Sequence, residues 1–434
     1  MGGLISKLCK QDEEKQIKPI SSKVSAHLPT YTPKNFESNL LKEMGFDPSP
    51  ANRSNISENI SYAVSERDVI RPIAMEDVLM PESPAMTIIQ NLANSHKITE
   101  DDFEFHDLIG VGGFSRVYLA HQKGNHNSNQ VFAIKTISKF QFKEDQWDQF
   151  LTELKILSVV SSTPCKFLTH LYCSFQSVYN FYFCLEYVPG GSLRKYLDLK
   201  NNFDLSTTTF VAAEILLGLL YLHEKLDVVH RDLKPENVLI DENGHCKLTD
   251  FGLSKLGKIK AYSFCGTFNY LAPELTKMQP YNKMVDFWML GCIIFEMLVG
   301  KTPFEHKNKK TTVDMINTGC YKNNLILDPD AKDIISKLLE LDPNKRLGFS
   351  STKELVRHPF FKDINFKKLM KKEMPSPLAC LVVLKDFTET IVSNPIEIPE
   401  DFEIQAAVRP KLEKFSWIKI RKQHSDIDTD FLDK

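Results

Sequence analysis

Apolar residues recur at two periods along this chain, first near two and then near 3.6, and the order of the two decides its architecture. After Phe103, short β-type runs at Arg116 to His121 and Val131 to Ile137 flank the polar stretch Lys123 to Asn129, the pattern of a strand meander. From Trp147 onward helical spacing takes over, in Trp147 to Val160, Thr207 to Leu222, Val285 to Val299 and Ala331 to Leu341. Strands first and helices afterwards imply an α+β fold, a small β-rich part followed by a larger, mainly α-helical one. Residues 1–102 are rich in Ser, Asn, Pro and Lys, lack sustained periodicity and read as a mostly flexible extension. The folded unit is expected over 103–361. Beyond it the periodicity weakens, Pro recurs at 375, 377, 395, 399 and 410, and 362–434 read as a tail able to lie on the folded body.

With 434 residues, 42% of them hydrophobic and 25% charged, the chain can bury a large core. Lys and Arg number 54 against 56 Asp and Glu, a net charge of −2, so no global basic footprint points to a nucleic-acid partner. Nine cysteines, spread from Cys9 to Cys380 without a C-x-x-C pair, fit neither a secreted disulfide framework nor a zinc ribbon. A reducing, cytoplasmic setting is the expectation. The richest apolar run, Trp288 to Val299, is broken by Glu296, which argues against a spanning helix, and nothing resembles a secretory signal peptide.

Gly110-Val111-Gly112-Gly113-Phe114-Ser115-Arg116-Val117 sets a glycine-rich turn between two strands, where backbone amides can approach phosphate oxygens. A dinucleotide-binding turn has similar glycine spacing but opens directly into a helix, whereas here β-type sequence continues through Val117-Tyr118-Leu119. A dehydrogenase is thereby nearly excluded. Phe132-Ala133-Ile134-Lys135 places a lysine on an apolar strand, where its ammonium needs an anionic partner. Phosphate would serve, and so would Glu153, a carboxylate among apolar neighbours in the helical segment Phe150 to Leu157.

Downstream follow His230-Arg231-Asp232-Leu233-Lys234-Pro235-Glu236-Asn237, Asp250-Phe251-Gly252 and Ala272-Pro273-Glu274. In the order and spacing of these motifs the chain from Phe103 to Phe361 resembles the protein-kinase family. The resemblance implies a bilobal fold and ATP- and Mg²⁺-dependent transfer of a γ-phosphate to protein hydroxyls. It assigns Gly110, Gly112 and Gly113 to the loop over the phosphates and Lys135, braced by Glu153, to the α/β-phosphates. Asn237 and Asp250 would bind Mg²⁺, and Asp232 would orient the attacking hydroxyl and accept its proton. Lys234 resembles the lysine that serine/threonine kinases use on the γ-phosphate, with Thr267 helping to hold it. Val117, Ala133 and Leu239 resemble the apolar plates around adenine, Glu186-Tyr187-Val188 the hinge that reads its edge, and Leu185 the gatekeeper. Ser115 stands where the third loop glycine is usual, which implies altered nucleotide affinity. His230, Phe251, Leu157 and Leu171 match an internal apolar spine, Glu274 with Arg346 a buried ion pair, and Asp286 an aspartate that steadies the catalytic loop.

Ser263 to Glu274 resembles the activation loops of the AGC group, especially its Akt-like and ribosomal S-six kinase-related members. Ser263 then occupies the phosphosite, where a phosphate would pair with Arg231 and Lys255, and a phosphoinositide-dependent kinase is the upstream enzyme implied. Pro189-Gly190-Gly191-Ser192-Leu193 and His358-Pro359-Phe360-Phe361 extend the likeness, although many members carry an acid at the position of Ser192. Glu236 and Asp314 remain to attract a basic substrate. The tail lacks a clear Phe-x-x-Phe motif, with Phe402 and Phe415-Ser416-Trp417 as the only candidates. At the other end Met1-Gly2-Gly3-Leu4-Ile5-Ser6 matches a myristoylation pattern at Gly2, and Cys9 offers a second acyl site for membrane residence. Arg409 to Lys422, where basic residues interleave with Phe415, Trp417, Ile418 and Ile420, reads as a solvated basic tail. The rival reading is a pseudokinase or scaffold, resting on Ser115 and the irregular tail.

Overall fold

Strands buried on both faces build the smaller lobe. The computed structural model describes residues 97–112, 115–123, 130–139, 147–162, 165–256, 267–322 and 328–383. Five antiparallel strands, β1 (Phe103–Val111), β2 (Ser115–Gln122), β3 (Val131–Ser138), β4 (Leu171–Gln176) and β5 (Asn180–Glu186), form one sheet in the order β1-β2-β3-β5-β4. A helix, α1 (Trp147–Ser162), joins β3 to β4. Successive side chains on a strand point to opposite faces, so the sheet sorts its residues in two. Phe132, Ile134, Tyr182 and Cys184 lie in an outer cluster with Phe103, Phe105, Tyr118 and Phe175. Phe103 stacks on Phe175 at 5.4 Å and meets Phe132 edge-on at 5.9 Å. The alternate residues Ile137, Phe181 and Phe183 pack with Phe150, Leu154 and Leu157 of α1. On that same inner face the register aligns Val117 with Lys135, Lys135 with Phe183, and Ala133 with Leu185.

The packed unit starts upstream of Phe103. Ile98 is buried in the outer cluster, and the Tyr182 hydroxyl donates to the Glu100 carboxylate across the sheet. A segment this short cannot display a period, so composition alone places it with the extension.

The larger lobe is helical. It comprises α2 (Leu193–Lys200), α3 (Leu205–Lys225), two small strand pairs, β6 (Val228–Val229) with β9 (Lys255–Leu256) and β7 (Val238–Ile240) with β8 (Cys246–Leu248), then α4 (Pro273–Thr276), α5 (Met284–Val299), α6 (Lys309–Thr318), α7 (Pro329–Leu338), α8 (Thr352–Val356) and α9 (Phe366–Met370). Asp204 caps α3 by accepting from the Thr207 N–H at 2.7 Å, and Gly300, in the left-handed region at φ 84°, closes α5. By length and composition α3 is apolar enough to cross a membrane, but 83% of its most apolar window is buried inside the lobe. Its Glu214 is fully buried and accepts from the Cys246 N–H and pairs with the His245 ring, the behaviour of a core helix. Helix α7 stops at Leu338 rather than Leu341 because the chain folds back and the Leu347 N–H donates to the Lys337 carbonyl.

Residues 362–383 pack against this lobe. Leu369, Met370 and Leu378 are buried, Lys372 pairs with Asp241 at 2.6 Å, and the Ser376 hydroxyl donates to the Gly244 carbonyl at 2.6 Å. The expectations for Gly2, Cys9, Phe402, Phe415, Trp417 and the basic segment 409–422 lie outside the described residues.

Candidate active site

The loop between β6 and β7 carries the chemistry, and a buried carboxylate sets its shape. Asp286, fully buried near the start of α5, accepts from the backbone N–H groups of His230 and Arg231, each at 2.8 Å, and is bonded to the His223 ring at 2.7 Å. Burial alone would raise its pKa, but the hydrogen bond and charge of His223, with help from the loop, hold it below the usual carboxylate range. So tethered, the backbone adopts a left-handed conformation at Arg231, φ 68°, and Asp250 does the same at φ 60°. Such conformations are unfavourable for a side chain with a Cβ, by about 1–3 kcal/mol each, and persist where surrounding contacts impose them. His230, Phe251, Leu157 and Leu171 are all buried at the centre of the molecule, with the His230 and Phe251 rings 5.5 Å apart.

Asp232 is the hub. Its Oδ1 accepts from both the N–H and the hydroxyl of Thr267, each at 2.9 Å, while Oδ2 accepts from Lys234 Nζ at 2.7 Å and Asn237 Nδ2 at 3.2 Å. Lys234 Nζ also donates to the Thr267 hydroxyl at 2.7 Å. Of its three donors the ammonium thus engages two, leaving one for an incoming anion. Asn237 directs its amide nitrogen to Asp232 as well, so its carbonyl oxygen is the group available to a cation.

Across the cleft, Lys135 Nζ lies 3.5 Å from Asp250 Oδ1. The lysine charge is the main cause holding the half-exposed Asp250 carboxyl below its usual range. Glu153, expected to brace Lys135, lies on α1, but its side chain is outside the described set. Val117, Ala133 and Leu185 join Lys135 on the inner face, with Leu239 on β7 of the larger lobe. Val188 is buried just beyond β5. Glu186 is bound through Oε1 to the buried Lys247 at 2.7 Å, and its N–H donates to the His170 carbonyl at 2.8 Å. In the glycine turn, the Gly112 N–H donates to the Ser115 carbonyl at 2.7 Å and closes the hairpin. A Cβ on Gly112 would sit 2.7 Å from Ser115 Oγ, so the serine in the third position packs closely against this glycine. Gly110 fits against Val117, and Gly113 lies outside the described residues.

These donors suit a magnesium–nucleotide pair. Among the described residues no group of three His, Cys, Asp or Glu could hold a metal alone. Asp250 and Asn237 would offer it two oxygen ligands, the donor type that Mg²⁺ prefers. On the acceptor side, Glu236 Oε1 is bonded to Arg194 Nε at 2.9 Å while its side chain is 46% exposed. Nothing in the spacing of Ser192-Leu193-Arg194 signals this pairing, which joins residues 42 positions apart. Asp314 is exposed on α6. Ser263 is outside the described residues, and Arg231 donates to the carbonyls of Leu253 and Ser254 and to the Tyr281 hydroxyl. The ion pair of Glu274 and Arg346 is bidentate, at 2.7 and 3.0 Å, and Arg346 lies over Trp288.

Compared with known families, residues 103–361 match the one described as Protein kinase domain. The chain belongs to the protein kinase family. Human protein kinase C delta type is 37% identical over 287 residues, covering 65% of this chain and 41% of that protein. Yeast cAMP-dependent protein kinase type 3 is 36% identical over 293 residues, covering 67% of this chain and 72% of that protein. A probable serine/threonine-protein kinase of Dictyostelium discoideum is 34% identical over 329 residues, covering 75% and 70%. The chain therefore spans less than half of the protein kinase C relative and more than two thirds of the other two. Relatives of protein kinase C and cAMP-dependent kinase type bear out the AGC-group likeness at the level of the group, without singling out its Akt-like or ribosomal S-six kinase-related branch. The bilobal α+β fold expected from the motifs is the one observed.

Proposed function

We propose that the chain is an ATP- and Mg²⁺-dependent serine/threonine protein kinase of the AGC group, active on acceptor hydroxyls in basic protein contexts and switched on by a phosphate at Ser263. The observation that carries this reading is the closed network of Asp232, Lys234, Asn237 and Thr267 facing Lys135 and Asp250 across the cleft. Phosphoryl transfer passes through a loose transition state, so positioning and charge neutralisation do most of the work. Asp232, its two oxygens fixed by four donors, orients the acceptor hydroxyl and takes its proton. The remaining donor of Lys234 meets the transferring phosphoryl oxygens. Lys135 neutralises charge on the nucleotide phosphates once they displace it from Asp250. Asp250 and Asn237 would hold Mg²⁺, which would supply neutralisation of phosphate charge.

A phosphate on Ser263 brings up to two negative charges, and Lys255 on β9 and Arg231 are the cations it would recruit. An upstream kinase of phosphoinositide-dependent type is consistent with the loop sequence. Acylation at Gly2, supported by Cys9, would bring a cytoplasmic enzyme to the membrane surface. The test is γ-phosphate transfer from ATP to an arrayed Ser/Thr peptide library, with Asp232→Asn as control. Transfer by the wild-type chain alone supports the reading; equal background signal from both, at full Ser263 phosphorylation, refutes it.

A further inference from the structure

A single guanidinium gathers the acidic groups beside the acceptor site. Arg194, on the first turn of α2, places Nε 2.9 Å from Glu236 Oε1 and Nη2 2.8 Å from both Glu296 Oε1 and the Tyr270 hydroxyl oxygen. Asp198, one turn along the same helix, is 3.9 Å from Nη1. Tyr270 in turn donates to Glu296 Oε2 at 2.6 Å. Burial disfavours the charge on Arg194, but Glu296, Tyr270 and Glu236 more than offset this and raise its pKa.

The place of this cluster gives it a role. Glu236 lies in the turn between Lys234 and Asn237, both of which touch Asp232. Tyr270 is three residues beyond Thr267, which also touches Asp232. An acceptor peptide with its hydroxyl at Asp232 must therefore run past Glu236 within a few residues, at about 3.3 Å per residue. The Glu236 side chain is 46% exposed and that of Glu296 only 6%, the form of a pocket with an acidic floor and an acidic rim. Empty, it would take the arginine of a basic substrate in charge-assisted bonds to both carboxylates. Here the pocket is filled from within.

We infer that Arg194 is a specificity-determining residue that occupies the acidic pocket beside the acceptor site and removes arginine selection at that position of the substrate. This rests on the kinase reading above and narrows it. Any basic preference is then carried by other positions, and the pocket's outer surface, part of the Arg194 stem and the Glu236 rim, accepts small or polar residues.

The test uses the full-length chain and fluorescein-labelled Ser-containing peptides in which one arginine is walked through every position around the acceptor. Binding is read by fluorescence anisotropy, which requires no turnover, and phosphotransfer is read in parallel. In the wild type, arginine at the position facing Glu236 binds no better than alanine. In Arg194→Met that one position gains arginine selection of about tenfold or more. The gain disappears in Arg194→Met/Glu236→Gln. Glu236→Gln in the otherwise natural chain leaves the arginine-to-alanine ratio unchanged, a result that stands even if Arg194→Met fails to fold. Equal arginine selection in the wild type and Arg194→Met, or its loss in Glu236→Gln alone, overturns the inference. Loss of phosphotransfer throughout, with the binding pattern as expected, would refute the kinase reading and leave this inference standing.

Discussion

At the scale of single residues, Asp232 and Asp286 are carboxylates held by several hydrogen-bond donors each. Asp232→Asn keeps the size of the side chain but removes the proton acceptor and weakens the hold of Lys234 and Thr267. A drop in kcat of about 10²–10⁴-fold is expected, the usual share of a general base, measured by single-turnover phosphotransfer with nucleotide affinity unchanged within a few-fold. Asp286 acts differently, because it touches no substrate and serves as a positioning residue for the loop backbone. Asp286→Ala would leave the His230 and Arg231 N–H groups and a fully buried His223 without their acceptor. Breaking a buried pair of this kind destabilises by about 3–5 kcal/mol, so a fall in the urea midpoint should accompany the loss of turnover. The motif residues were legible in sequence because phosphoryl transfer demands those side chains at those spacings. Arg194 was not, since its partners Glu236, Glu296 and Tyr270 lie on separate elements and meet only once the lobe has packed.

At the scale of elements, periodicity located the long helices and the central strands, while their ends depended on tertiary contacts. Val285 to Val299 became Met284–Val299, and Thr207 to Leu222 became Leu205–Lys225 with Asp204 as its cap. The short pairs β6 with β9 and β7 with β8 were invisible, because two or three residues cannot show a period. The turn between β7 and β8 illustrates a second kind of hidden constraint. Gly244 there has φ 84°, and an added Cβ would come within 2.5 Å of the Ala379 backbone nitrogen. Gly244→Ala should therefore push the turn and the segment around Ala379 apart. We expect a loss of about 1–3 kcal/mol and earlier proteolytic cleavage near residue 379. Gly191, also at positive φ, meets nothing closer than 3.5 Å in the same construction and predicts a smaller effect.

At the scale of the whole molecule, the family match ends at Phe361, yet the chain stays packed on the larger lobe as far as Val382. Weak periodicity and recurrent proline allow only the reading of a tail able to lie on the folded body, because the segment docks through isolated residues rather than a continuous face. Leu369, Met370 and Leu378 are buried, and each such side chain contributes about 1.5–3 kcal/mol as an upper bound. The docking also has an electrostatic part with a defined pH window. Burial alone would raise the Asp241 pKa, but the charge and hydrogen bond of Lys372, with the His245 N–H, lower it beneath its ordinary value of 3.8. Folded Asp241 therefore holds its proton less tightly than unfolded Asp241. Its contribution is complete above the ordinary carboxylate value and is lost as pH falls through the lower folded one. Urea midpoints of the full chain and Asp241→Asn should differ at pH 6 and converge as the pH is lowered toward 3. Ending the chain at Phe361 removes the apolar and the charged parts together. Its midpoint should lie below that of a chain ending at Val383 at every pH, with the gap narrowing on acidification but not closing. Equal midpoints at neutral pH would mean that residues 362–383 rest on the larger lobe without stabilising it.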